Sequence, residues 1–223
     1  MKNAKKIVMG GVAALALVTV SVMGTMAYFT SKTETVNNTF TVGNVNIKLD
    51  EAPTDALGNV VEGGRRTSNT YNLLPGKDYT KDPTVHVAAN SEDCYLFVTV
   101  KDDISAIEGT REKSDKLPEI KTIAAQISDN GWKEVKDNDG NTLTKDGAKV
   151  YVYTGDSTSD TPAVIEKSDE VVDKIVFGNF IVKDTETNLS AYDKATITVN
   201  GYAIQTVGFE DKSPADIWAE ASK

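Results

Sequence analysis

Much of this chain consists of short runs rich in β-branched and aromatic residues, broken by glycine, proline, asparagine and aspartate, and in places the apolar residues alternate. That pattern points to extended strands joined by turns. Between Thr39 and Glu51 the apolar residues are Phe40, Val42, Val45, Ile47 and Leu49. The phase changes at Gly43, so a strand with a bulge or bend at the glycine is expected. Ala52 to Asn72 carries Pro53, Gly58, Gly63 and Gly64 and reads as a long loop or weak hairpin. Leu73, Leu74, Pro75 and Gly76 make a turn leading to strands over Thr84 to Ala89 and Cys94 to Lys101. Lys174 to Lys183 and Ala195 to Val207 are the two longest β runs.

One stretch breaks the pattern. Between Asp115 and Asn130, Leu117, Ile120, Ile123, Ala124 and Ile127 recur at helical spacing, with Pro118 in the first turn. This predicts an amphipathic helix of about three turns, capped by Ser114 or Asp115 and stopped near Gly131. Trp132 to Lys136 and Val150 to Thr154 read as hairpin strands, with turns at Asn138 to Asn141 and at Asp146 and Gly147. Pro214 to Ala221, with Ile217 and Trp218, reads as a short terminal helix. About eight strands without βαβ alternation or internal repeat give a mainly β expectation. The predicted fold is an antiparallel β-sandwich of jelly-roll type with one inserted amphipathic helix and a short C-terminal helix.

The N-terminus obeys a different rule. Lys2, Lys5 and Lys6 precede an apolar run from Ile7 to Met23, which ends at Gly24, Thr25, Met26 and Ala27. Small residues three and one before a cut between Ala27 and Tyr28 make a signal peptide. The run also approaches the length of a membrane span, so a retained anchor is the alternative. Cleavage leaves about 195 residues, enough for one domain. Loss of the three lysines takes the formal charge from −9 to −12. Such a surface repels nucleic acid and anionic lipid, so the only membrane contact expected is through the signal segment before cleavage. Cys94 is the single cysteine, which rules out an intramolecular disulfide, and its apolar neighbours make it a buried, inert thiol.

Residues suited to catalysis are scarce. A zinc hydrolase commonly uses two or more histidines, and this chain has one. His86 lies between Val85 and Val87 on an alternating strand, points away from them, and reads as a surface residue and a weak metal candidate. Asp137 to Asn141 invites a calcium reading, but its glycine is at the fourth position, where an EF-hand loop needs it at the sixth. A hairpin turn accounts for it better. Asp102, Asp103 and Glu166 to Asp173 read as solvated faces, and a weak calcium site on such loops stays open. No catalytic residue, metal or cofactor is assigned.

Two runs are more specific: Gly24 to Ser31, and Asn38 to Ile47 with its Phe40, Val42, Gly43 and Val45. Together they resemble the start of the TasA/camelysin family. Leu74, Pro75, Gly76, Lys77, Asn90 and the strand Tyr95 to Val100 are similar to that family's next landmark. The resemblance covers about the first 100 residues, and beyond them only Gly201 to Gln205 is similar, to the final strand of related Gram-positive secreted proteins. It implies export, processing by a SipW-type signal peptidase, a jelly-roll domain, and head-to-tail self-assembly into extracellular biofilm-matrix fibres. The chain then divides into a signal peptide (1–27), a mature N-terminal segment (28–39) and a jelly-roll domain (40–223). In TasA-like fibres the mature N-terminal segment of one subunit completes the sheet of the next. Here Phe29, Ser31, Thr33 and Thr35 would share one face of that donor strand, with Lys32 and Glu34 on the other. A flexible tail or an ordinary first strand is the plainer reading of the same residues. The family name also carries a metallopeptidase label, whose ligands are not visible here. The expectation is therefore a secreted, non-enzymatic fibre subunit of the matrix or cell surface. The alternatives are a camelysin-like surface metallopeptidase using His86 and a monomeric adhesin or binding module.

Overall fold

The computed structural model describes residues 30–34, 37–38, 45–156, 158–186 and 188–223, with 30–34 and 37–38 as backbone alone. The signal peptide, the Ala27/Tyr28 cut, Phe29, Thr35 and Gly43 lie outside the described residues.

In chain order the strands are β1 (Thr30–Glu34), β2 (Asn37–Asn38), β3 (Ile47–Asp50), β4 (Asp78–Thr80), β5 (Thr84–Val87) and β6 (Cys94–Asp102). Then follow β7 (Trp132–Glu134), β8 (Thr144–Lys145), β9 (Ala148–Tyr153), β10 (Val172–Ile175), β11 (Asn179–Ile181) and β12 (Ile197–Gln205). Two α-helices, α1 (Ile123–Asp129) and α2 (Pro214–Ala221), and a short 3-10 helix (Ser190–Tyr192) complete the described elements. The fold is mainly β and its strand pairs are antiparallel. One seven-stranded sheet has the order β2-β1-β12-β6-β9-β7 with β8 on β9; β10-β5-β3 and β11-β4 form the smaller sheets.

β6 and β12 are the spine, paired over their full lengths from Ile197 opposite Asp102 to Gln205 opposite Cys94. Both faces of β6 are covered. Leu96, Val98 and Val100 enter the main core with Val45, Val85, Val87 and Phe177. Tyr95 and Phe97 turn the other way, into a second cluster with Tyr202, Ile204, Ile217 and Trp218 beneath α2. A strand buried on both sides reads as a continuous apolar run, and Cys94 to Val98 is one. Each large side chain so buried contributes about 1.5–3 kcal/mol.

The terminal helix lies where the sequence predicts it, with Ser213 Oγ accepting the Asp216 N–H at 3.2 Å and Pro214 opening the first turn. The second hairpin turn also holds. Asp146 (φ 53°) and Gly147 (φ 80°) both adopt the left-handed region that a two-residue type I′ turn requires.

The inserted helix is shorter than its periodicity suggests. It starts at Ile123, and its cap is Thr122, whose Oγ1 accepts the Ala125 N–H at 3.3 Å, in place of Ser114 or Asp115. Upstream, Arg111 and Ile120 exchange two backbone hydrogen bonds of 2.8 Å, and the Pro118 carbonyl accepts from Arg111 Nε. That pairing commits residues 111–120 to a non-helical loop and leaves Leu117 half exposed. The Lys174 to Lys183 run is likewise two strands in different sheets. Between them, Trp132 Nε1 donates to the Ile175 carbonyl (2.8 Å) and Asn130 Nδ2 to that of Val176 (3.1 Å), while Val176 and Phe177 are buried. The short strand β4 is an addition that the sequence pattern does not signal.

Candidate functional site

The N-terminal segment lies along β12. Thr30 pairs with Ile204, Ser31 with Ala203, Lys32 with Tyr202 and Thr33 with Gly201, and the chain then turns back through β2. Of the four donor-face residues, Ser31 and Thr33 are thus on β1, between β12 and the two-residue edge strand β2 of the chain's own sheet; Phe29 and Thr35 lie outside the described residues. β1 covers only the second half of β12. From Ile197 to Asn200 the ladder of β12 runs to β6 alone among the described residues. Beside this uncovered length is a cleft of about 430 Å³, lined by Leu49, Tyr71, Phe180, Ile197 and Val199 and by the polar groups of Glu51 and Lys81.

His86 proves to be part of an ionic network rather than a simple surface residue. Register sets this up, because Lys48 and Asp173 stand directly opposite His86 on the flanking strands β3 and β10. Nδ1 of His86 lies 2.6 Å from Asp173 Oδ1, and Nε2 lies 2.8 Å from Asp50 Oδ1. Both ring nitrogens therefore face carboxylate oxygens, which accept hydrogen bonds, and neither nitrogen is turned to an open coordination position. Asp50, itself buried, also accepts from Lys48 Nζ at 2.7 Å and from Arg65 Nε. Arg65 continues to Asp82 Oδ2 (2.9 Å), to the Asp50 and Asp82 carbonyls (3.0 Å each) and to Thr84 Oγ1 (3.1 Å). Burial alone would raise the Asp50 carboxyl, but the Lys48, Arg65 and His86 hydrogen bonds hold it below the usual carboxylate range. The network pins the loop carrying Arg65 to β3 and to the segment ahead of β5. Sequence reasoning missed Arg65, because only register and loop path bring it to Asp50.

Elsewhere, Asp137 closes a turn: its Oδ1 accepts the N–H groups of Asp139 (2.9 Å) and Asn141 (2.8 Å), as the hairpin reading requires. Asp102 departs from the solvated-face expectation. Burial raises its carboxyl, while the Ile104 N–H, 2.9 Å from Oδ1, opposes the rise. Cys94 is fully buried, and burial pushes its thiol up to about 12. Among the described residues no three His, Cys, Asp or Glu side chains are grouped to hold a metal ion. No helix among them is long and apolar enough to cross a membrane.

Compared with known proteins, the chain matches no family model, no curated protein and no solved structure.

Proposed function

We propose that the chain is a secreted structural subunit, a TasA-like jelly-roll sandwich that polymerises head to tail by donating its N-terminal strand to the next copy. One observation carries this reading: segment 30–34 joins the sheet through backbone pairing with β12, with only the two-residue β2 outside it, and among the described residues β12 pairs with β6 alone from Ile197 to Asn200, beside an open cleft. A ladder of main-chain hydrogen bonds is indifferent to which copy supplies the strand. The segment that closes its own sheet in a monomer makes the same ladder in trans when a neighbour offers it. Exchange of this kind is heterologous and does not close on itself, so it yields filaments. Cutting after Ala27 would free the strand, making processing by a SipW-type peptidase the step that permits assembly. The family resemblance of residues 24–47 points the same way.

The test compares the chain beginning at Tyr28 with one beginning at Thr39, by negative-stain microscopy and sedimentation. Fibres from the first and monomers from the second are expected. Equal fibres from both would overturn the donor role.

A further inference from the structure

Under the cleft, three side chains from separate segments meet at one buried carboxylate. Glu51 follows β3, Lys81 follows β4, and Asn69 lies on the loop between them. The two oxygens of the Glu51 carboxylate are divided between the other two residues. Lys81 Nζ donates to Oε2 at 2.7 Å, and Asn69 Nδ2 donates to Oε1 at 3.0 Å. The carboxylate thus binds an amine through one oxygen and a carboxamide through the other. The Glu51 and Lys81 side chains are only 4% and 11% exposed. Tyr71 and Phe180, which line the same cleft, pack edge to face with centroids 5.7 Å apart, giving the group an apolar surround. Two further contacts bear on the carboxamide. The Thr54 N–H donates to Asn69 Oδ1 at 2.9 Å, and Asn69 Nδ2 also donates to the Ala52 carbonyl at 2.8 Å. The carbonyl oxygen faces a fixed donor, and the nitrogen lies against the Glu51 carboxylate.

We infer that Lys81 and Asn69 are joined by a self-formed isopeptide bond, with Glu51 as the proton-transfer residue. Lys81 first passes a proton to Glu51 within their hydrogen bond, replacing a buried ion pair by a neutral amine and a neutral acid. The Nζ lone pair attacks Asn69 Cγ, and the Thr54 N–H stabilises the negative charge that develops on Oδ1. Glu51 delivers its proton to Nδ2 and takes one from Nζ as the Cγ–Nδ2 bond breaks. Ammonia leaves through the cleft, and Glu51 ends protonated beside the new amide. The number of bonds between heavy atoms is conserved, and no oxidant or co-reactant is consumed. The bond would tie the loop walling the cleft to the segment leading into β5, in a chain whose lone cysteine excludes a disulfide.

The purified full-length chain is denatured, weighed by mass spectrometry and mapped with trypsin. The expected mass is lower than that of the sequence by one ammonia, and the map contains peptide Thr67–Lys77 joined to Asp78–Lys101, uncut after Lys81. Glu51→Gln is expected to restore the full mass and the cut. Asn69→Asp is expected to keep the link with loss of water in place of ammonia. A wild-type chain at the sequence mass, cut after Lys81, overturns the inference whether or not any variant folds. So does an ammonia deficit that persists in Lys81→Met, which would mark cyclisation of Asn69 onto its own backbone.

Discussion

Glu108 is a buried carboxyl with no ion-pair partner among the described residues. It is 8% exposed, close to Ile104 and Ile107 in the chain, and its Oε1 accepts the N–H of Ile123, the first residue of α1, at 3.0 Å. Burial pushes its carboxyl up from 4.5 to about 7; the Ile123 N–H opposes the rise and the charge of Asp102 adds to it. Below pH 4.5 the group is protonated whether the chain is folded or not, and it costs nothing. Between 4.5 and about 7 the folded state holds a proton that the unfolded state has released, so stability falls as pH rises. Above that window the whole penalty is present, about 3 kcal/mol at 1.36 kcal/mol per pH unit. Glu108→Gln keeps the oxygen that accepts from Ile123 and removes the charge. Urea unfolding followed by tryptophan fluorescence should find the variant more stable by about 2–3 kcal/mol near pH 8.5, with the gap closing to within about 0.5 kcal/mol near pH 4. A gap that stays constant across that range, or a variant less stable than the parent at high pH, would refute a buried ionised carboxylate here.

Two further outcomes follow from the same side-chain geometry. Asp50→Asn leaves Arg65, Lys48 and His86 without their shared anion, and should cost about 3 kcal/mol at neutral pH by denaturant titration. Because the Asp50 carboxyl is held below its ordinary 3.8, that contribution is present above 3.8 and lost as acid protonates the folded state; the difference between variant and parent should shrink in the same direction. Gly58→Ala should cost about 3 kcal/mol in thermal unfolding, since φ is +76° and the new Cβ would lie 2.7 Å from the Tyr79 Cα.

How much was legible in the sequence depended on how local the cause was. Ser213 and Pro214 start α2 by satisfying N–H groups within one turn, and Asp146 and Gly147 form their turn from their own dihedral preferences. Both were readable because nothing distant takes part. The helix expected from Asp115 shrank to Ile123–Asp129 because Arg111 captured the backbone of Ile120, a competition that periodicity cannot register. The Lys174 to Lys183 run divided for the same reason, its carbonyls drawn to Asn130 and Trp132.

The candidate sites divide similarly. The sequence alone determined that the segment holding β1 would be polar, and that His86 would face away from Val85 and Val87, because strand alternation is a property of the chain itself. Only the tertiary structure decided that β1 covers half of β12, that His86 meets Asp50 and Asp173, and that Glu51 gathers Asn69 and Lys81. Those meetings are set by register between strands and by the path of the loop from Ala52 to Asn72. Register comes from packing the apolar faces of separate strands into one core, and no local run of residues encodes it.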